Sequence, residues 1–238
     1  RILPKTATVT DGEILFNGDN VLKMNSSALK KLRSSGISMI FQDPTMSLNP
    51  VYTIGQQMYA VIKYSGQPNA SKKEVQHELA VKALKETSMP DPERILQSYP
   101  FQLSGGMRQR ISIAMSLATP RDLVIADEPT TNLDVTVQDQ VLKILKERVE
   151  AKGSSLILIT HSLGVARETT DRIYVMYAGS MVESSTTAEL FREQLHPYTK
   201  ALMACIPKLA GGGVAEGIKG LEMSRNVQSG NTQNLKSM

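Results

Sequence analysis

The chain has 238 residues, of which 41% are hydrophobic, so it can bury one large core with a smaller subdomain attached. Its formal net charge of +4 is mild, and the basic residues are scattered among acidic ones, which gives little support to a nucleic-acid-binding protein. The single cysteine, Cys205, excludes an intramolecular disulfide and an all-cysteine metal or iron–sulfur site within one chain.

The longest apolar runs, around Val124 and Leu156, are too short to cross a bilayer, so we expect any membrane attachment to depend on a partner. The opening residues RILPKTATVTDGEI lack an initiator Met and the apolar core of a signal peptide. We therefore expect a cytoplasmic location and a sequence that starts partway through a longer protein.

In chain order, the first predicted strand covers residues 12–16 and runs into an Asn17-Gly18 turn, which is typical of a peripheral antiparallel hairpin. Three later apolar runs, residues 37–41, 122–126 and 155–159, predict central strands of a parallel sheet. Two of these runs are continuously apolar, as strands buried on both faces tend to be.

Helices are predicted between these strands. Residues 43 to about 97 indicate a helical insertion, in which Ser71 and Glu74 match an S-x-x-E capping box. The helix that follows, over residues 107–118, places apolar residues on one face. A further helical pattern ends at Gly153 and completes a strand–helix–strand unit. Beyond it we expect an edge hairpin over residues 172–183.

Polar side chains follow each central strand. Gln42 follows the first, Asp127 and Glu128 follow the second, and His161 follows the third. Because ligands of open α/β sheets bind outside the carboxyl ends of the strands, these four residues should converge on one edge. Each has an ordinary structural interpretation as well: a solvated acidic pair, a histidine that caps a strand end, and a glutamine that is uninformative alone.

The stretch LSGGMRQR, residues 103–110, places Ser104, Gly105 and Gly106 before the first turn of a helix. A hydroxyl and unobstructed backbone N–H groups at a positive helix end suit a bound phosphate. The structural alternative is a serine N-cap with a tight turn. The phosphate loop G-x-x-x-x-G-K-[ST] is missing, since no glycine in the chain is followed by lysine.

Beside a nucleotide, two successive carboxylates can have different roles, one in binding the metal ion and one in activating water. Asp127 can hold Mg²⁺ through water, and Glu128 can orient and polarise an attacking water. Gln42 could reach Mg²⁺ or that water, and His161 could donate a hydrogen bond to a γ-phosphate.

These residues, in this order, resemble an ATP-binding-cassette (ABC) ATPase from residue 12 to about 208. The motifs that carry the resemblance are FQDP (41–44, the Q-loop), LSGGMRQR (103–110, the signature), LVIADEPT (123–130, Walker B), TNLD (131–134, the D-loop) and ITHS (159–162, the switch histidine). Longer stretches, such as FQDPTMSLNP and HPYTKAL, are similar to the oligopeptide/dipeptide/nickel importer subfamily.

The resemblance implies an α/β fold: a P-loop-NTPase-type parallel sheet core, a helical subdomain over about 43–120 and a peripheral antiparallel β region. The ATPase domain would cover residues 1–208 without its first strand and Walker A, and residues 209–238 would form a loosely ordered tail. It further implies a head-to-tail dimer that binds ATP and Mg²⁺.

Within that dimer, Glu128 is the general base, Asp127 and Gln42 support Mg²⁺, and His161 contacts the γ-phosphate. Ser104, Gly105 and Gly106 would grip the nucleotide of the partner, and Asp134 would link the two sites. Implied partners are a second ABC ATPase, identical or paralogous, transmembrane permease subunits and, indirectly, an extracytoplasmic solute-binding protein. The chain would sit at the cytoplasmic face of the membrane and bind no nucleic acid.

The sequence departs from the family most clearly in the missing Walker A loop, which in relatives comes just before the equivalent of residues 1–4, as expected of a truncated gene product. Phe101 and Asn132 stand where the subfamily commonly has His and Ala. We expect little ATPase activity from this chain alone. Two alternatives stay open: an ABC ATPase that works in DNA repair or translation, and a non-catalytic cassette subunit that naturally lacks a P-loop.

Overall fold

The structure is a computed structural model that describes residues 6–131, 133 and 135–205. The chain divides into two compact units, Arg1–Ile159 and Thr160–Met238, and each is described by itself. The expected tail, from residue 209 onward, lies outside the described residues. In the described part of the chain, no helix is both long and apolar enough to cross a membrane.

The first unit contains two small strands, three longer ones and seven helices among its described residues. The strands are β1 (Leu15–Phe16), β2 (Asp19–Asn20), β3 (Ile37–Ile40), β4 (Leu123–Asp127) and β5 (Ser155–Ile159). The helices are α1 (Ser26–Lys31), α2 (Pro44–Ser47), α3 (Ile54–Lys63), α4 (Lys73–Glu86), α5 (Pro92–Gln97), α6 (Gly105–Leu117) and α7 (Val135–Ala151). Short 3₁₀ turns cover Val21–Lys23 and Pro100–Gln102, and a π turn covers Leu32–Gly36.

The three longer strands form a parallel sheet in the order β3-β4-β5, which confirms the predicted α/β core. In this register Ile40 lies opposite Ala126, and Asp127 lies opposite Ile159. The carboxyl ends of β3 and β4 therefore open on the same edge. The predicted peripheral hairpin is the short β1–β2 pair, whose turn residues Asn17 and Gly18 both have positive φ.

One face of this sheet is buried. Ile40, Val124 and Ala126 pack with apolar residues from α6 and α7, among them Ile113 and Val141. On the other face, the β5 residues Ile157 and Ile159 are 49% and 47% exposed. The continuous apolar run of β5 therefore predicted its conformation correctly, but burial on both faces is not observed.

Helix α6 contributes to two cores. Ile111 and Ala114 pack into the core of the helical segment, which we define as residues 43–104 between β3 and α6. Ile113 and Leu117 pack under the sheet. The single apolar face predicted from the sequence is therefore incomplete, since two faces of the helix are buried, one in each core. This double burial fixes α6, and the LSGG stretch at its start, between the helical segment and the sheet.

The predicted capping box at Ser71 and Glu74 is wrong. Helix α4 begins at Lys73, its N-cap is Lys72, and no side chain caps it. The chain enters α4 through a turn in which the Lys72 N–H donates to the Asn69 carbonyl (2.9 Å) and Gln76 Nε2 donates to the Ala70 carbonyl (2.8 Å). These bonds place Ser71 one residue too early to act as the cap.

The second unit contains α8 (Leu163–Thr169), β6 (Arg172–Tyr177), β7 (Ser180–Thr186), α9 (Thr187–Arg192) and α10 (Pro197–Ala204). β6 and β7 pair antiparallel around a turn at Ala178 and Gly179, both of which have positive φ, so the predicted edge hairpin is confirmed. Helix α10 begins within the HPYTKAL stretch, with His196 as its N-cap.

Candidate functional site

Gln42 and Glu128 meet at the carboxyl ends of β3 and β4. Gln42 lies two residues beyond β3 and Glu128 directly follows β4. Gln42 Nε2 donates a hydrogen bond of 2.8 Å to Glu128 Oε2, across a separation of 86 residues. Asp127, the last residue of β4, is half-buried. The expected convergence on one sheet edge is therefore observed for the residues that follow these two strands.

Glu128 holds an unusual backbone conformation. Its φ is +43°, in the left-handed region that residues other than glycine rarely adopt. The Glu128 N–H donates to the Ile159 carbonyl (2.9 Å), and the Thr131 N–H donates to the Glu128 carbonyl (3.2 Å). The backbone of Glu128, which begins the sharp turn after β4, therefore makes hydrogen bonds through both its N–H and its carbonyl.

Thr131 was not among the predicted site residues, yet its side chain contacts Glu128. Thr131 Oγ1 donates a 2.7 Å hydrogen bond to Glu128 Oε2, the oxygen that also accepts from Gln42. A hydroxyl three residues after a strand-terminal carboxylate is the signal that could have indicated this contact. The sequence could not show that the turn curls tightly enough to make it.

Gln42 lies where the sheet passes into the helical segment. It is exposed, and the next residue, Asp43, is the N-cap of α2 and accepts a 2.7 Å hydrogen bond from the Thr45 N–H. A displacement of the start of this segment would thus move Gln42 relative to Glu128.

The LSGG stretch forms the start of α6. Ser104 is the N-cap, and its Oγ accepts a 3.3 Å hydrogen bond from the Met107 N–H, so the structural interpretation of this serine is correct. Arg108 Nη1 donates to the carbonyls of Leu103 (2.9 Å) and Pro100 (3.4 Å), which holds the preceding loop against the helix. Phosphate binding by this end of α6 remains a prediction.

The two glycines of this stretch differ in their surroundings. A Cβ on Gly106 would lie 3.0 Å from Val137 Cγ1, so Gly106 allows α6 to pack closely against α7. A Cβ on Gly105 would meet no described atom within 4 Å outside its own helix, and its φ is not positive. Packing therefore explains Gly106, whereas neither packing nor backbone conformation explains Gly105.

The far end of α6 is fixed by Lys152, whose Nζ donates to the Leu117 carbonyl. Burial lowers the pKa of Lys152 below its usual value, and the nearby Glu86 opposes that shift. Glu86 Oε1 also lies 3.7 Å from Nη1 of Arg148 on α7, which makes an ion pair. These contacts join the helical segment to the helices under the sheet.

The roles of two further predicted site residues stay predictions. His161 is exposed, belongs to the second unit and precedes Ser162, the N-cap of α8. Asp134 lies outside the described residues, as does Asn132.

A family profile for ABC transporters matches residues 1–131, which is more than half of the 238-residue chain. The chain belongs to the ABC transporter family. A second profile, described as the C-terminal region of oligopeptide/dipeptide transporters, matches residues 182–229 of this ABC protein.

Curated relatives carry peptide-transport names. A probable peptide ABC transporter ATP-binding protein of Sinorhizobium fredii is 45% identical over 208 residues, which are 87% of this chain and 61% of that protein. The dipeptide transport ATP-binding protein of Bacillus subtilis gives the same identity and coverage. This ABC chain thus spans about 61% of the length of these relatives.

Solved structures support the same fold. A dimeric ATP-binding cassette, MJ0796, bound to ADP and phosphate in a post-hydrolysis state, is 27% identical with a TM-score of 0.66 over 75% of this chain and 74% of that one. The cbiO1 protein of Clostridium perfringens, part of an ABC transporter complex, gives a TM-score of 0.65 at 25% identity over 83% and 73% of the two chains. The expected cassette fold is therefore confirmed.

Proposed function

We propose that the complete protein containing this chain is the ATP-binding and ATP-hydrolysing subunit of an ABC importer for oligopeptides, dipeptides or similar small solutes. The observation that carries the proposal is the 2.8 Å contact between Gln42 and Glu128 at the carboxyl edge of the sheet. It joins two motif residues of an ABC cassette that lie far apart in sequence. The peptide-transport names of the relatives favour the substrate class.

The proposed roles follow from position and chemistry. Glu128 acts as the general base toward the attacking water, because its carboxylate follows β4 at the edge where nucleotide would bind and is oriented by hydrogen bonds from two neutral donors. His161 contacts the γ-phosphate, and Asp134 links the two sites of a dimer. The phosphate-binding loop that such a site needs must come from outside residues 1–238, since this sequence contains no such motif.

Mg²⁺ fits the donor set at this edge. Asp127 offers a carboxylate and Gln42 an amide oxygen, the hard ligands that Mg²⁺ prefers. Among the described residues no cluster of three His, Cys, Asp or Glu side chains could hold a metal alone. In nucleotide sites Mg²⁺ usually keeps several waters and takes its remaining ligands from the phosphates. When bound, the ion would neutralise charge that develops on those phosphates.

We assign Ser104, Gly105 and Gly106 to a nucleotide held mainly by a second cassette, identical or paralogous. Ser104 and Gly105 are exposed at the positive end of α6, and the space where a Cβ of Gly105 would lie is open among the described residues. A backbone left bare without a packing reason suits close approach by a ligand.

The permease subunits are proposed to dock on exposed apolar residues of the helical segment. Val51 and Phe101 are 74% and 70% exposed, and the Tyr99 and Phe101 rings stack with centroids 5.6 Å apart. A hydrogen bond of 2.9 Å between Ile54 N–H and the Ser98 carbonyl joins the two loops that carry these residues. Exposed apolar patches of this kind mark interaction sites. Attachment through the permease would place the protein at the cytoplasmic face of the membrane.

The test uses the complete protein, assembled with its permease in membrane vesicles. Glu128→Gln keeps the size of the side chain and removes the base, so ATP should bind without turnover and the uptake of labelled dipeptides should stop. Phe101→Ser serves as the matched variant outside the chemistry: we expect it to reduce uptake more than ATP hydrolysis. Normal turnover in Glu128→Gln would overturn the proposed base, and uptake of sugars but not peptides would overturn the substrate class.

A further inference from the structure

We infer that Thr131 is a positioning residue for Glu128, which keeps the carboxylate in a single orientation throughout ATP hydrolysis. The inference rests on the proposed function, since it presumes that Glu128 is the base. No motif assignment in the sequence gave Thr131 a role. The inference comes from three observations: the hydrogen bonds to one carboxylate oxygen, the backbone geometry of the turn after β4 and the different places of the two donors in the fold.

Two donors bind the same oxygen. Thr131 Oγ1 lies 2.7 Å and Gln42 Nε2 lies 2.8 Å from Glu128 Oε2. The terminal torsion of a glutamate is broad, so an unrestrained carboxylate samples many orientations. Hydrogen bonds to one named oxygen restrict that rotation and decide which oxygen faces the reacting water. Catalytic groups need this kind of support, because a displacement of about 1 Å lowers rates strongly.

The backbone of the turn places Thr131 where its hydroxyl can do this. Glu128 has a φ of +43°, and the Thr131 N–H donates back to the Glu128 carbonyl at 3.2 Å. The same two residues are thus bonded through both backbone and side chain, which closes a compact loop. Thr131 is half-buried, whereas Gln42 is exposed.

The two donors differ in how easily they can leave. Gln42 lies 86 residues away, beside the start of the helical segment, and its amide is also proposed to serve Mg²⁺. Its bond to Glu128 can therefore change when nucleotide arrives or the helical segment moves. The Thr131 hydroxyl belongs to the same hydrogen-bonded turn as Glu128, so its position does not depend on the helical segment. Thr131 is consequently the donor that keeps Glu128 oriented while Gln42 changes partners.

The test compares Thr131→Val, which keeps the branched shape and removes the hydroxyl, with Thr131→Ser, which keeps the hydroxyl. In the complete protein, Thr131→Val should lower kcat by about 10- to 100-fold, the usual effect of losing a supporting hydrogen bond to a catalytic group, with KM for ATP within about twofold. Thr131→Ser should restore kcat to within about threefold of the parent. Thr131→Ala replaces Thr131→Val if the latter does not fold.

A second measurement separates positioning from folding. In the 238-residue chain, the melting temperatures of Thr131→Val and Thr131→Ser should agree within about 2 °C, because a single half-buried hydroxyl contributes little to global stability. A wild-type kcat in Thr131→Val, with Glu128→Gln inactive, overturns the inference and leaves the proposed function intact. Normal turnover in Glu128→Gln overturns instead the proposed role of Glu128 as the base, on which this inference rests. Equal losses of kcat in Thr131→Val and Thr131→Ser also overturn the inference.

Discussion

At the scale of single residues, the site combines strain with support. Glu128 adopts a φ of +43°, which costs free energy on the order of 1–3 kcal/mol for a residue with a Cβ. The backbone bonds to Ile159 and Thr131 and the side-chain bonds to Gln42 and Thr131 offset that cost. The result is a carboxylate within hydrogen-bonding distance of both Gln42, which follows β3, and Thr131 in the same turn.

One signature glycine, Gly105, leads to a prediction: its replacement by alanine should raise the stability of the fold and weaken nucleotide-dependent dimerisation. Gly105→Ala replaces a helical glycine with open space around it, so it should stabilise the fold by about 0.4–1 kcal/mol. The added methyl should nevertheless weaken ATP-dependent dimerisation, because it intrudes where the partner's nucleotide would approach. Thermal unfolding of the 238-residue chain checks the first effect. Size-exclusion chromatography of the complete Glu128→Gln protein with ATP checks the second.

Gly106→Ala is the matched control for the stability measurement. Its Cβ would lie 3.0 Å from Val137 Cγ1, so the gain in helix propensity should be offset by crowding between α6 and α7. We expect its melting temperature to stay below that of Gly105→Ala. Undiminished dimerisation in Gly105→Ala would remove Gly105 from the proposed site.

Some site residues could be predicted from sequence and others could not, for physical reasons. Gln42 and Glu128 follow apolar strands, and the parallel sheet rule alone brings them to one edge. Thr131 depends on a turn that begins with a strained, positive φ, which no periodicity reveals. For Ser104 the sequence predicted the N-cap correctly, but an N-cap serine looks the same whether or not a phosphate binds beside it. Its role toward a phosphate therefore does not follow from its position in the helix.

At the scale of elements, α6 organises the first unit. Its start is held by Arg108 through the carbonyls of Leu103 and Pro100, and its end is held by Lys152. Burial on both sides leaves it little freedom to move independently of its neighbours. Sequence periodicity identified the helix but only one of its buried faces, because two apolar faces on one helix blur the 3.6-residue signal.

In the second unit, Glu183 on β7 pins the start of α10. Its Oε1 accepts from the Leu195 N–H (2.8 Å) and its Oε2 from the His196 N–H (3.1 Å). Burial alone would raise the pKa of Glu183, but these hydrogen bonds more than compensate and hold the pKa below its ordinary value of 4.5. The ionised carboxylate therefore stabilises the HPYTKAL helix above that pH.

Glu183→Gln should lower the stability of the chain at pH 7 by about 1–2 kcal/mol, since it removes charge-assisted hydrogen bonds. The difference from wild type should shrink as pH falls through the depressed pKa of Glu183, because the wild-type carboxyl then becomes protonated as well. Urea unfolding at pH 7 and pH 3 measures both values. Glu193→Gln, which removes an exposed carboxylate in the same unit, should change little at either pH. A loss in Glu183→Gln that is equal at both pH values would contradict this account.

At the scale of the whole molecule, we propose that the chain carries parts of two different nucleotide sites. Gln42, Asp127 and Glu128 are proposed to act on a nucleotide bound by this subunit, and Ser104 and Gly105 on one bound by a partner. The chain spans about 61% of the length of its curated relatives, and its 238 residues contain no phosphate-binding loop. The two sets therefore differ in what they need: the first needs a phosphate loop joined to the same chain, and the second needs only a partner that has one.

This difference predicts how the 238-residue chain behaves in isolation. Its rate of Mg²⁺-dependent phosphate release from ATP should equal that of its Glu128→Gln variant, because without a lysine and a nest of amides around the β- and γ-phosphates the base has no bound substrate to act on. Glu128→Gln is the decisive control, since a contaminating ATPase would raise both rates alike. Hydrolysis that is well above background and disappears in Glu128→Gln would mean that this chain binds nucleotide by another route. Equal rates would agree with the proposal that Glu128 acts only when a phosphate loop is supplied in cis.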